Sequence, residues 1–119
     1  MKFHHEDLEI WQLAMNLIPK AYKLFDRFPP EERFGLCSQG KRAVISVVLN
    51  IAEGSGRHSK KDFSNFINRS ITSLHEVDTV LKVAVKLKYT TQEDYNFISP
   101  DIEKLYFKMI AFNKTLKSE

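Results

Sequence analysis

Arg42–Arg57 reads RAVISVVLNIAEGSGR, the most apolar run in the chain, and a polar stripe crosses it. Gln39, Arg42, Ser46, Asn50, Glu53 and Arg57 follow one another at steps of three, four, four, three and four. Such steps return to one side of an α-helix. The VISVVL segment has the composition of a buried strand, but its flanks carry the helical stripe onward, and that decides for helix. Ala43, Val44, Ile45, Val47, Val48, Leu49, Ile51 and Ala52 fill the remaining sides. A helix apolar around most of its girth needs cover on several sides. A monomeric bundle covers mainly one, so the excess predicts a subunit interface as well.

The neighbours of this helix are read from the same periodicity. Upstream, Leu8, Trp11, Met15, Ile18, Tyr22 and Phe25 form a stripe, widened by Ala14, Leu17, Ala21, Leu24 and Phe28. Pro19 interrupts that helix without shifting its phase, which predicts a kink and not a break. Pro29 and Pro30 end it. Gly40 offers room for a neighbouring helix, and Gly54-Ser55-Gly56 predicts a C-terminal stop, with glycine in the left-handed conformation. Ser59 with Asp62, and Thr91 with Asp94, are N-cap signatures. Downstream, Phe63, Phe66, Ile67, Ser70, Leu74, Val77, Leu81 and Ala84 line a third helix. Tyr95, Ile98, Ile102, Leu105, Met109, Phe112 and Leu116 line a fourth, where Pro100 predicts a kink or frayed first turns. Four helices over about 7–28, 31–54, 59–88 and 91–117, joined by short connections, describe one all-α domain. The expected architecture is an up-down-up-down antiparallel four-helix bundle, assembling as a homo-oligomeric ring.

The chain has 119 residues, enough for a core without metals or disulfides, and a single cysteine, Cys37, read as a small core or interface residue. Residues 1–10 do not resemble a signal peptide and no apolar run reaches bilayer length, so a cytoplasmic location is expected. The net charge of +3 is uneven, because residues 41–90 hold nine Lys/Arg against four Asp/Glu. Arg57, His58, Lys60 and Lys61 cluster around a helix N-terminus, and Lys41, Arg69, Lys82, Lys86 and Lys88 extend the charge. Together they could hold a nucleic-acid backbone without reading bases. A solvated charged face is the plainer alternative.

The stripe of Gln39, Arg42, Ser46, Asn50 and Glu53 is read as a structural network or oligomer interface, with a ligand site as the alternative. His4 and His5 beside Glu6 and Asp7 read as solvated terminal residues. His75, Glu76 and Asp78 do not share one helix face as three ligands would. No phosphate-binding glycine loop, nucleophile elbow or zinc spacing occurs, so no catalytic residue, metal or cofactor is expected.

Leu8–Ala14 (LEIWQLA), Phe28–Gln39 (FPPEERFGLCSQ), Arg42–Arg57 and the run SKKDFSNFINRSITSLHEVD after it carry a family resemblance. They resemble the four-helix bundle proteins encoded in intervening sequences of bacterial 23S ribosomal RNA genes. Arg42, Asn50, Glu53, Gly54 and Arg57 match the family motif as signature positions, not catalytic ones. Ser70-Ile-Thr-Ser73 departs from a pattern that usually has Ala and a Gly-Ser pair, which puts tight helix packing there in doubt. The resemblance implies a homopentameric ring or barrel. It is similar to the accessory variability proteins of diversity-generating retroelements, which bind nucleic acid and a reverse transcriptase through a basic surface. The function expected is a non-enzymatic scaffold for RNA or DNA. The alternative is a protein-interaction module that binds no nucleic acid.

Overall fold

Hydroxyl caps start two of the helices. Ser59 Oγ accepts the Asp62 N–H at 3.0 Å, and Thr91 Oγ1 accepts the Asp94 N–H at 3.0 Å. Each satisfies one of the amide donors that a helix start leaves without a partner. The structure is a computed structural model and describes residues 1–117. Its helices are α1 (Glu9–Phe25), α2 (Leu36–Ser55), α3 (Lys60–Lys86) and α4 (Gln92–Lys117), with 3₁₀ turns at His4–Asp7 and Pro30–Glu32.

Each helix packs on two others, in the cycle α1–α2–α3–α4–α1. The register is antiparallel, since partner numbers fall on one helix as they rise on the next. Ser46 meets Ser73 while Gly54 faces Phe66, and Tyr95 meets Asp78 while Asn113 meets Ser64. Lys20 pairs with Asp101 and Glu9 with Lys108, so α1 and α4 close the cycle in the same sense. The bundle measures 46 × 25 × 22 Å.

Val44, Val47 and Ile51 of α2, Ile67, Val77 and Leu81 of α3, and Leu105 and Met109 of α4 are fully enclosed. On α1 the core stripe is Ile10, Ala14, Leu17, Ala21 and Leu24. Trp11, Ile18 and Tyr22, which the periodicity placed at its centre, are half-buried at its edge, and Met15 is exposed. α1 is therefore turned slightly from the predicted face. Both prolines lie inside continuous helices, and the first turns of α4 before Pro100 are formed.

Two expectations about α2 are corrected. It starts at Leu36, not near 31, because Pro30–Glu32 forms a separate turn whose Glu32 folds back. Glu32 Oε1 accepts the Leu36 N–H at 3.1 Å, and Oε2 accepts the Tyr89 hydroxyl at 2.9 Å. A side chain four residues upstream thus caps α2 and ties it to the α3–α4 corner. Gly54 is not a cap. It is buried within α2, and among the described residues no glycine has positive φ. A Cβ there would come within 2.7 Å of Phe66 Cβ and 2.8 Å of Phe63, so the glycine admits α3. Gly40 does the same for the Phe25 ring, 2.5 Å from where its Cβ would stand. At Ser70–Ser73 the packing is close after all, since Ser70 Oγ donates to the Val47 carbonyl at 2.7 Å.

Two outcomes follow from these contacts. Gly40→Val should lower stability by about 1–3 kcal/mol through overpacking against the enclosed Phe25 ring, read as a lower urea midpoint at unchanged slope. The Glu32 hydrogen bond, with burial and the carboxylate charge, raises the Tyr89 phenol above its ordinary 10.0. A raised folded value means the bond's contribution is complete below the ordinary value and is lost as pH rises through the folded one. The stability gap between wild type and Tyr89→Phe should therefore narrow in alkaline solution, measured by thermal unfolding across that range.

Candidate functional site

The turn between Ser55 and Lys60 brings the end of α2 against the start of α3. Arg57 leaves this turn and lies over the Phe66 ring, 4.4 Å from its centroid. Arg69, one helical turn further along α3, lies 4.5 Å from the same ring. Phe66 is 5% exposed, so the two guanidinium groups help to enclose it. Such stacking suits arginine, whose flat, weakly hydrated head keeps its donors at the surface. Arg57 also pairs with Glu53 at 3.1 Å and approaches Asp62 at 3.8 Å. Arg69 has no acidic partner among the described residues. Beside this pair, Lys60 and Lys61 line a groove of about 620 Å³ with Ser59, Ser64, Asn65, Asn68, Leu116 and Lys117. Among the described residues no carboxylate lines it. His58 is exposed in the turn itself.

The other predicted cations lie elsewhere. Lys41 is held by Asp26 at 2.6 Å beside the Tyr22 ring, and that hydrogen bond raises its pKa. Lys82 pairs with Asp78 at 2.8 Å, which raises its pKa likewise. Lys86 and Lys88 are exposed near the same end of α3. Lys82 follows Lys61 by twenty-one positions on α3, about 30 Å at 1.5 Å per residue. One copy therefore presents Arg57, His58, Lys60, Lys61 and Arg69 at one corner, with Lys41, Lys82 and Lys86 apart from it.

The polar stripe of α2 faces outward. Ser46 Oγ lies 2.8 Å from Ser73 Oγ on α3, and Asn50 Nδ2 donates to Ser46 O and Oγ, each at 2.9 Å. Gln39, Arg42 and Glu53 are exposed, and Arg42 has no hydrogen-bonding or acidic partner among the described residues. The stripe is thus a cross-helix network at its centre and a solvated, charged edge at its ends. With Phe34, Ile45 and Leu49 it lines a shallow groove of about 690 Å³.

A second cleft, between α3 and α4, was not singled out from the sequence. It encloses about 420 Å³ among residues including His75, Asp78, Lys82, Tyr95, Tyr106 and Phe107. Tyr95 donates to Asp78 at 2.5 Å, and its phenol is raised by burial first and by that carboxylate second. The His75 ring lies 5.3 Å from that of Tyr106. The Asp78–Lys82 spacing of four was the available sequence signal. Among the described residues no group of three His, Cys, Asp or Glu side chains is arranged to hold a metal. No helix among them is long and apolar enough to cross a membrane.

Residues 6–111 match the family model described as 23S rRNA-intervening sequence protein. The chain belongs to this family. Its fold is similar to the solved structure of a protein of unknown function from the S23 ribosomal protein family of Bacteroides thetaiotaomicron. That match has a TM-score of 0.80 at 23% identity and covers 88% of this chain and 98% of the other. No curated protein matches the sequence. For this member of the 23S rRNA-intervening sequence protein family, Arg42, Asn50, Glu53, Gly54 and Arg57, the positions that carry the resemblance, now have physical settings. Gly54 admits α3, Asn50 closes the serine network, Glu53 and Arg57 pair across one turn, and Arg42 stands open on the outer face.

The serine contact across α2 and α3 can be measured directly. A double-mutant cycle of Ser46→Ala and Ser73→Ala should give a coupling of about 0.5–1.5 kcal/mol, the range of a net neutral hydrogen bond.

Proposed function

We propose that this protein is a non-enzymatic scaffold that assembles with copies of itself and holds RNA or DNA by the phosphate backbone. The observation that carries this reading is the α2–α3 corner. There Arg57, Lys60, Lys61 and Arg69 gather beside a polar groove, with Glu53 and Asp62 among the nearby counter-charges. Stacked guanidinium groups and lysines fit a chain of phosphates and carry no base readout. A closed ring, of the pentameric kind that the family resemblance implies, repeats the corner once per subunit. Several weak contacts then act on one strand. The cytoplasm is the setting this reading requires.

A second reading is a protein-interaction module, with a reverse transcriptase among the partners that the resemblance implies. It draws on the exposed side chains of Phe34, Leu49, Phe97 and Phe107, since apolar patches of this kind mark contact surfaces. Titration with labelled structured RNA and duplex DNA over a salt series separates the two. The scaffold reading expects log affinity to fall linearly with log salt, by roughly 0.7–0.9 per phosphate contact. Replacing Lys60, Lys61 and Arg69 with Glu should abolish that binding while leaving the fold intact. Absence of binding at low salt would retire the nucleic-acid function and leave the protein-interaction reading.

A further inference from the structure

The cleft between α3 and α4 lies outside the basic corner and has its own chemistry. Buried Leu74 and Ile102 form an apolar floor. Along one side the His75 ring packs on Tyr106 and the Tyr106 ring on Phe107, with centroids 5.3 Å apart in each pair, so three rings form one aromatic wall. His75 and Phe107 are exposed and present ring surface to whatever enters. The volume of about 420 Å³ falls within the roughly 300–1,000 Å³ of small-ligand clefts.

The polar groups of the cleft carry both signs. Asp78 accepts from the Tyr95 hydroxyl and pairs with Lys82 at 2.8 Å, which fixes one polar end. The Lys82 ammonium has three donors, and Asp78 and the neighbouring Tyr95 do not exhaust them. At the rim, Glu103 is exposed and has no hydrogen-bond or ion-pair partner among the described residues. Lys104 stands beside it in a shallow dip that Glu103 and Phe107 also line. A simple anion would meet Asp78 and Glu103, and a simple cation would meet Lys82 and Lys104. The ligand that suits this lining is a flat, uncharged ring that donates at one edge and accepts at another.

We infer that the cleft binds a nucleobase with an exocyclic amino group, as in cytosine or adenine. The base stacks on the aromatic wall, as bases of any sequence do on such side chains. Its amino group donates to the Glu103 carboxylate, and its ring nitrogen or carbonyl accepts from Lys82. Uracil has a carbonyl where cytosine has the amino group, so Glu103 would face a second acceptor there. The inference goes beyond the basic corner, which meets phosphates without reading bases. A free nucleoside and a strand held at that corner both supply such a base, and the chemistry at the cleft is the same.

The test is an amide NMR titration of the full chain with cytidine and with uridine. Cytidine should shift the signals of residues around the cleft, His75, Thr79 and Tyr106 among them. It should bind about tenfold more tightly than uridine, the discrimination of one good base contact. Glu103→Gln should erase that preference, because an amide accepts or donates by turning over. Phe107→Ala should weaken both nucleosides. Both side chains are exposed, and circular dichroism checks that each variant is folded. A short oligocytidylate separates the two sources. For a base on a bound strand it binds more tightly than cytidine, and Glu at Lys60, Lys61 and Arg69 removes the gain. For a free nucleoside there is no gain to remove. Equal binding of cytidine and uridine to the wild type overturns the inference, since an aromatic wall alone takes both. Absence of shifts at the cleft with either nucleoside overturns it too. Neither result touches the reading of the basic corner, which the salt series tests by itself.

Discussion

Gly54 stands where a Cβ would come within 2.7 Å of Phe66, and the α2 backbone uses that room to lie against α3. Small residues continue the contact along the seam. Ser70 reaches the Val47 carbonyl at 2.7 Å and Ser46 meets Ser73 at 2.8 Å. Around them Val44, Val47, Ile51, Ile67, Leu74 and Val77 are almost wholly enclosed. Each such side chain contributes about 1.5–3 kcal/mol on burial. The exposed ion pairs that fasten α1 and the turn after it to α4, Lys20–Asp101 and Arg27–Asp94, contribute about 0–1 kcal/mol apiece. The α2–α3 seam is thus held by buried packing, and α1 and α4 join it through their own enclosed stripes, Leu17 and Ala21 on one and Leu105 and Met109 on the other.

That seam also governs the candidate surface. With one side of α2 against α3 and another against α1, its apolar girth exceeds what the bundle covers, and Leu49 remains exposed. Close approach of the helix ends at Gly54 puts Arg57 over Phe66, where Arg69 of the following helix meets it. The same glycine that lets the helices pack thus brings Arg57 to a ring that Arg69 already covers from within α3. Loss of that packing would take Arg57 off the ring.

Helices were legible because burial in a bundle imposes a period that the sequence must carry. Ile98, Ile102, Leu105 and Met109 show it on α4, and the structure encloses all four. The hydroxyl caps were legible too, being local: Ser59 and Thr91 act on amides three residues ahead. The misread features depend on distant partners. The start of α2 is set by Glu32, whose second oxygen is held by Tyr89, 57 positions away. The Gly54-Ser55-Gly56 run does end α2, at Ser55 with Gly56 as the cap, but nothing near Gly54 announces that Phe63 and Phe66 will lie against it. The basic set was legible as composition but not as a surface, because a helix of 27 residues carries neighbours in sequence to opposite ends of the molecule.

The proposed self-association starts from a bundle that buries its core within one chain and leaves Phe34, Leu49, Phe97 and Phe107 exposed. Small-angle scattering of the wild-type protein tests this most directly. The isolated bundle has a radius of gyration of 14.8 Å and a longest extent of 46 Å. Association predicts a radius and a maximum dimension well above these values, falling toward them on dilution. Values that stay at those of the single bundle at every concentration would contradict it.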